Sequence, residues 1–125
     1  MKNKKVTPII FTVFFLSGCM NMPTPPSQIT GAYVSPVKYA EYDCAQLAAE
    51  TGSLARRENV LVTAQNQRIK TSETQAFWWG YGQGDGVEAS ELASVRGDKE
   101  AVRTSMETKG CENALPKDDT APKSE

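Results

Sequence analysis

The chain of 125 residues contains no histidine. Histidine is the commonest general base in enzymes and the commonest metal ligand, so its absence excludes the usual serine–histidine–aspartate triad and most zinc sites. Charge is nearly balanced, with 14 basic and 15 acidic residues, which leaves no basic surface of the kind that nucleic acids require. No motif indicates a cofactor. The composition therefore argues against an enzyme, a metalloprotein and a nucleic-acid-binding protein.

Long apolar runs are missing as well. A membrane-spanning helix needs about 20 apolar residues, and the longest apolar stretch of this chain, residues 9–16, is far shorter. Lys2, Lys4 and Lys5 precede it. A basic start followed by a short apolar core is typical of a targeting segment that is later removed. We expect a signal peptide over residues 1–18.

The targeting segment runs into Leu16-Ser17-Gly18-Cys19, which resembles the lipobox of bacterial lipoproteins. In those proteins the cysteine thiol is joined to a diacylglycerol, the chain is cut before the cysteine, and the new amine is acylated. The resemblance implies a lipid anchor on Cys19, palmitate included. Met20 follows instead of an aspartate that would resemble an inner-membrane retention signal, which favours the outer membrane, on its periplasmic side. The alternative is an ordinary secretory signal with Cys19 as a bystander.

Only two other cysteines follow, Cys44 and Cys111. If Cys19 carries lipid, these two remain as a pair in an oxidising compartment, where disulfides persist. The alternative is two free thiols. Two cysteines without a histidine fall short of a structural zinc site.

The regions flanking the helical part of the chain differ from it in composition. Residues 19–34 contain three prolines and show no periodic apolar face, which predicts a lipidated, flexible tether. Residues 113–125 are polar and contain prolines, which predicts a disordered tail. The helical domain is therefore expected over residues 35–112.

Two helices are indicated by apolar residues at three- and four-residue spacing. The first is predicted from about residue 39 to residue 69, and the second from about residue 87 to residue 109. Two start signals compete for the first helix: Ser35-Pro36, a cap followed by proline, and Asp43 with Gln46, a capping box. The apolar stripes are Cys44, Leu47, Ala48, Thr51, Leu54, Ala55, Leu61, Val62 and Ile69 in the first helix and Ala89, Leu92, Ala93, Val95, Val102 and Met106 in the second.

The spacing of the cysteines agrees with the register of the two stripes. Cys44 precedes Trp78 by 34 residues and Cys111 follows it by 33. In an antiparallel hairpin that turns near Trp78, the two cysteines meet at the base and the apolar stripes face each other. The predicted fold is all-α: a disulfide-closed antiparallel two-helix hairpin between a disordered tether and a disordered tail.

The predicted turn contains the candidate contact surface, Phe77, Trp78, Trp79 and Tyr81, among alternating glycines. Three interpretations stay open. The rings pack back on the helix ends while the glycines supply positive φ, they dock a protein partner, or they contact a membrane interface. The Arg-Gly-Asp tripeptide at residues 96–98 falls inside the second helix, where its glycine is expected to allow close approach to the facing helix.

With these elements in place, the chain resembles a family of small lipoproteins of Gram-negative bacteria. The matching parts are the lipobox at Cys19, residues 33–47 with their Tyr-Asp-Cys, the Phe-Trp pair, and residues 91–111 ending in Lys-Gly-Cys. The resemblance implies a disulfide-closed helical lipoprotein and carries over no biochemical activity.

The expected function follows from the anchor and the fold. We expect a membrane-attached, non-enzymatic accessory or scaffold protein that contacts another envelope protein. The alternative is a module that binds a lipid or a cell-wall fragment between its helices. Helix hairpins often pair into four-helix bundles, so a homodimer also stays open.

Overall fold

The computed structural model describes residues 21–111, and the predicted signal peptide, lipidation site and tail lie outside this range. Every regular element within the described range is helical, and none of it is strand. The predicted all-α class is confirmed. In chain order the elements are a 3-10 turn at Pro26–Gln28, a 3-10 turn at Pro36–Tyr39, helix α1 at Cys44–Trp79 and helix α2 at Val87–Lys109.

Both competing start signals are used, but for different elements. Asp43 caps α1: its carboxylate accepts a hydrogen bond from the backbone N–H of Gln46 (2.8 Å), and the Gln46 side chain accepts one from the backbone N–H of Asp43 (2.9 Å). Ser35 and Pro36 instead open the second 3-10 turn. Helix α1 then continues to Trp79, ten residues beyond its predicted end.

Helix α2 has the predicted bounds. Glu88 lies in its first turn and Lys109 in its last, where each charge complements the helix dipole. Gly110 ends the helix in the left-handed conformation (φ +69°), and the backbone N–H of Cys111 then donates to the Met106 carbonyl (2.9 Å).

The two helices pack antiparallel and bury one cluster of apolar side chains. Glu58 pairs with Arg96 (2.8 Å) and Arg68 with Glu88 (3.0 Å), which is the register inferred from the cysteine spacing. The buried apolar residues are Tyr39, Leu47, Leu54, Leu61, Leu92, Val95, Ala101, Val102, Met106 and Cys111.

A disulfide closes the base of the hairpin. It joins Cys44, the first residue of α1, to Cys111, just after α2, with the Cα atoms 5.4 Å apart. The bridge closes a loop of 67 residues, which stabilises the fold by about 4 kcal/mol in the chain-entropy model. The predicted disulfide-closed hairpin is confirmed.

Residues 21–42, here called the strap, lie along α2 from its start towards its end. The backbone N–H of Ala32 donates to the carbonyl of Ala93 (2.8 Å), and farther along the Lys109 ammonium donates to the carbonyl of Ala40 (2.6 Å). The strap is therefore a third packed layer, and the hairpin does not stand alone.

The strap corrects the flexible tether predicted over residues 19–34, because residues 21–24 are held against the segment between the helices and the chain is held against α2 from residue 26 onward. The side chain of Arg96 donates to two strap carbonyls, those of Pro26 (2.6 Å) and Ile29. Such contacts need no periodic apolar face in the strap, since the donor belongs to α2 and the acceptors are backbone. The prediction relied on that missing periodicity and so overlooked the packing.

The two other residues of the Arg-Gly-Asp tripeptide also contact the strap. Gly97 is buried, and a Cβ atom there would overlap the carbonyl oxygen of Ala32. Asp98 accepts hydrogen bonds from Lys38 (2.7 Å) and from the hydroxyl of Tyr39 (2.9 Å). Gly97 thus permits close approach of the strap, not of the facing helix as the sequence suggested.

Candidate functional site

Helix α1 projects past α2 at the end opposite the disulfide. Arg68 pairs with Glu88 in the first turn of α2, yet α1 continues to Trp79, about 16 Å farther at 1.5 Å per residue. The connecting loop, residues 80–86, returns alongside this extension, and the backbone N–H of Gln83 donates to the Ser72 hydroxyl (3.3 Å). The last turns of α1 therefore form the tip of the molecule.

The four predicted contact residues lie together at this tip and are exposed to solvent. The exposed fractions are 81% for Phe77, 73% for Trp78, 74% for Trp79 and 64% for Tyr81. The interpretation in which these rings pack back on the helix ends is therefore wrong. We call residues 74–84 the aromatic tip; this stretch contains no charged side chain.

The rings surround the end of α1 and do not lie on one face. Successive helical residues point about 100° apart, so Phe77, Trp78 and Trp79 project in different directions. Phe77 and Trp78 contact each other edge to face, with ring centroids 5.3 Å apart. Aromatic rings therefore surround the last turn of α1.

A polar cluster beneath the aromatic tip, in which Gln65 is buried, Thr24 half-buried and Asp85 exposed, joins three segments of the chain. The Gln65 amide, fully buried on α1, donates to the Thr24 carbonyl of the strap (2.9 Å) and to the Asp85 carboxylate of the loop (2.9 Å). Thr24 also donates to Asp85 through its backbone N–H (2.6 Å) and its hydroxyl (2.5 Å). Hydrogen bonds from Thr24 hold the pKa of Asp85 below its usual value, against a smaller opposing effect of burial.

The apolar pattern of the sequence does not predict this cluster. A signal was present, because Leu47, Leu54 and Leu61 recur every seven residues and the same face continues to Gln65 and Ser72. Both of these polar side chains are fully buried. Reading the stripe only through apolar residues therefore ended α1 too early.

Two glycines of the loop admit the start of the strap. Gly82 and Gly84 are buried, and a Cβ atom on either would overlap Asn21. Gly84 also has φ +69°, which side chains other than glycine rarely adopt. The first described residue, Asn21, is thus seated at the aromatic tip. The predicted lipidation site, Cys19, lies outside the described residues, two positions before Asn21.

A charged groove of about 490 Å³ lies between α1 and α2, nearer the disulfide. Glu58 lines it and pairs with Arg96 (2.8 Å) and Lys99 (2.5 Å). Burial alone would raise the pKa of Glu58, but hydrogen bonds from these two cations outweigh it and hold the pKa below its usual value. The charges of Glu58 and its two partners are thus matched within the chain.

The comparisons with known proteins add no relative to this picture. No family model, curated protein or solved structure matches the chain. Across residues 21–111, neither helix combines the length and the apolar character needed to cross a membrane. In the same range, no group of three or more acidic or cysteine side chains is placed to hold a metal ion.

Proposed function

We propose that this protein is a lipid-anchored lipoprotein of the outer membrane, on its periplasmic side, with a non-enzymatic scaffold role. The observation that carries the proposal is the seating of Asn21 at one end of a long, rigid hairpin. A lipid attached two residues earlier would hold that end of the hairpin at the bilayer. The opposite end would then project into the periplasm.

The length of α1 sets the distance over which such a scaffold acts. Its 36 residues span about 54 Å at 1.5 Å per residue. The disulfide at Cys44 and Cys111 and the strap along α2 both restrict bending and fraying of the hairpin. These features support a role in which a contact surface is presented at a fixed height above the membrane.

The strap offers a surface for a protein contact. Tyr33 and Val37 project from it with exposed fractions of 90% and 77%. Tyr33 borders a groove of about 500 Å³ between the strap and α2, which Ala101 and Thr104 line from the helix side. Exposed aromatic and aliphatic side chains beside a groove are typical of protein-contact sites.

Expression of the full chain in a Gram-negative cell tests the anchor. We expect mass spectrometry of the mature N-terminal peptide to find an acylated Cys19, and the protein to co-fractionate with outer membranes. Cys19→Ser should abolish both. Cleavage elsewhere with an unacylated Cys19 would contradict the anchor and support the ordinary secretory signal.

Site-specific photo-crosslinking in intact cells tests the contact surface. A photoreactive residue at Tyr33 or Val37 should give a discrete larger adduct that disappears when Cys19 is replaced by serine. Val60 is the matched control, because it is similarly exposed (68%) but lies on α1 away from the strap. Equal adducts at all three positions would contradict a specific surface.

The charged groove supports the second candidate, a module that binds a cell-wall fragment. Its volume suffices for a small ligand, but Glu58 already pairs with Arg96 and Lys99. The scaffold is therefore the better supported of the two. Amide chemical-shift changes confined to groove residues during titration with peptidoglycan fragments would reverse this preference, and a Lys99→Met variant should then bind more weakly.

A further inference from the structure

We propose that the aromatic tip inserts into the headgroup region of the leaflet that holds the lipid on Cys19, so that the hairpin stands upright on the membrane. This inference rests on the lipid anchor proposed above. The sequence left three interpretations open for Phe77, Trp78, Trp79 and Tyr81. Of these, the inference selects contact with the membrane.

The first step is the reach of the chain between the lipid and the fold. Asn21 lies against Gly82 and Gly84, and Thr24 is bound to Asp85. A fully extended chain spans about 3.5 Å per residue, so Cys19 lies within about 7 Å of Asn21. A bilayer that holds the acyl chains of Cys19 must therefore approach this end of the molecule.

The second step compares the two ends of the hairpin. Gly82, which adjoins Asn21, packs beside Ser72, and the end of α1 at Trp79 is seven residues or about 10 Å above Ser72. Cys44 at the base is 28 residues, or about 42 Å, from Ser72 in the other direction. The aromatic tip is thus within reach of the anchor, whereas the disulfide lies about 42 Å away from it along α1.

The third step is the chemistry of the tip. Tryptophan and tyrosine favour the membrane interface, because each ring has a large apolar body and a polar group that hydrogen-bonds to water or headgroups. Residues 74–84 add no charge that would have to lose its hydration. Rings that point in several directions from the end of a helix fit a fluid headgroup layer, which can surround them, better than they fit a flat protein surface. These features favour the bilayer over a protein partner.

The fourth step gives the depth of insertion. Glu73 is exposed on α1 and lies six residues, or about 9 Å, below Trp79. Interfacial elements bury their apolar surface to a depth of about 5–10 Å. The rings can therefore enter the interface while the Glu73 carboxylate stays in water, and deeper insertion is opposed by that charge.

The test uses tryptophan fluorescence, because Trp78 and Trp79 are the two tryptophans of the whole chain. The acylated full-length protein is reconstituted into phosphatidylethanolamine–phosphatidylglycerol vesicles. We expect a blue-shifted emission compared with soluble Cys19→Ser protein and a several-fold loss of quenching by aqueous iodide. Lipids brominated near the headgroup should quench more strongly than lipids brominated near the chain ends.

A control variant moves the reporter to another exposed site. In the variant Trp78→Phe/Trp79→Phe/Val37→Trp the tip stays aromatic, but the fluorophore lies on the strap. We expect aqueous iodide to quench the fluorescence of this tryptophan. A matching loss of quenching at both positions would indicate a protein lying flat and would overturn the proposal. Water-like, iodide-quenched emission from the native tip would overturn it as well.

The outcomes separate this inference from the anchor on which it rests. Mass spectrometry and vesicle flotation of the same sample report acylation at Cys19. If the protein is acylated and floats but its tryptophans stay in water, only the inference fails. If Cys19 is unacylated and the protein does not float, the proposed function fails and the inference falls with it. Tryptophans that are shielded in native outer membranes but exposed in pure lipid vesicles would overturn the inference in favour of a docked protein.

Discussion

The two halves of the hairpin are held together by different chemistry. In the half that ends in the disulfide, the shared face is apolar, with Leu47 on α1 and Met106 on α2 both fully buried. In the half that ends in the aromatic tip, the same face of α1 buries Gln65 and Ser72 instead. The base half is thus a small hydrophobic core closed by a covalent bridge, whereas the tip half combines a polar network with a fully buried leucine, Leu92.

The two ends of the hairpin therefore contribute differently to the fold. Apolar burial is non-directional, and together with the disulfide it supplies stability. Hydrogen bonds are directional, so a polar network accepts fewer arrangements. The network of Thr24, Gln65 and Asp85 joins the strap, α1 and the loop, so it fixes where the chain leaves the fold. The disulfide and most of the apolar core lie at the base, and the position of Asn21, the first described residue, is set beneath the tip.

The largest expected effect comes from breaking the base. Replacing both cysteines of the bridge, Cys44→Ala/Cys111→Ala, should lower the free energy of unfolding by about 4 kcal/mol, because the unfolded chain regains the freedom of a 67-residue loop. Urea unfolding followed by circular dichroism measures it, with Cys19→Ser as the background and control. An unchanged unfolding midpoint would show that the core alone holds the base.

A matched pair of glycine substitutions should have opposite signs. Gly97→Ala should lower the free energy of unfolding by about 2 kcal/mol, because the new methyl group overlaps the Ala32 carbonyl and displaces the strap. Gly52→Ala should raise it by up to about 1 kcal/mol, since the added Cβ meets only ordinary contact with Arg56 (3.5 Å) and alanine favours the helix. Thermal unfolding compares them. Equal destabilisation would mean that the strap does not press on α2.

Acid should weaken the tip half through Asp85. Its pKa is lowered in the folded state, so its contribution is present above the unfolded pKa of about 3.9 and is lost as pH falls through the folded pKa. Asp85→Asn should lower the free energy of unfolding at neutral pH by at most about 1 kcal/mol, because water screens this exposed carboxylate, and should flatten the loss of stability below about pH 4. Unfolding titrations across pH 7 to 2 measure both effects.

A second variant isolates the hydrogen bond to Asp85 from its charge. Thr24→Val keeps the carboxylate but removes the hydroxyl that donates to it (2.5 Å). We expect a smaller flattening of the same acid region, together with faster hydrogen exchange of the backbone amide at position 24, which donates to Asp85. If neither variant changes the acid profile, the network does not bind the strap.

The smallest expected effect on stability is at the tip itself. Trp78→Ser and Phe77→Ser should each change the free energy of unfolding by less than about 0.5 kcal/mol, because both rings are largely exposed. Leu47→Ala, at the fully buried base position, should cost about 3 kcal/mol. Chemical denaturation of the three variants gives the contrast. A large loss from the tip variants would mean that the rings serve the fold.

The sequence predicted the parts of the fold in which local signals agree with one another. The bounds of α2 follow from its apolar stripe and from Gly110, and the disulfide follows from two cysteines that lie 34 residues before and 33 residues after Trp78. The end of α1 was missed because Gln65 and Ser72 carry the buried face without being apolar.

The strap and the state of the tip could not be read from local signals. Residues 21–34 are held by side chains that lie some 60 to 70 positions later, such as Arg96 and Asp85, and no pattern within the strap reports them. Whether the rings of the tip pack inward depends on the length by which α1 exceeds α2, which is a tertiary property. The four tip residues were predicted as a candidate contact surface, their exposure was left open among three interpretations, and their nearness to Asn21 was not predicted.

Neutron reflectometry of the acylated protein on a supported bilayer tests the upright arrangement most directly. If the aromatic tip sits at the lipid and the disulfide faces away, the protein layer should extend about 45–50 Å above the headgroups, the length of α1 less the inserted tip. A layer of about 20 Å, the thickness of two helices side by side, would show a hairpin lying flat and would contradict it.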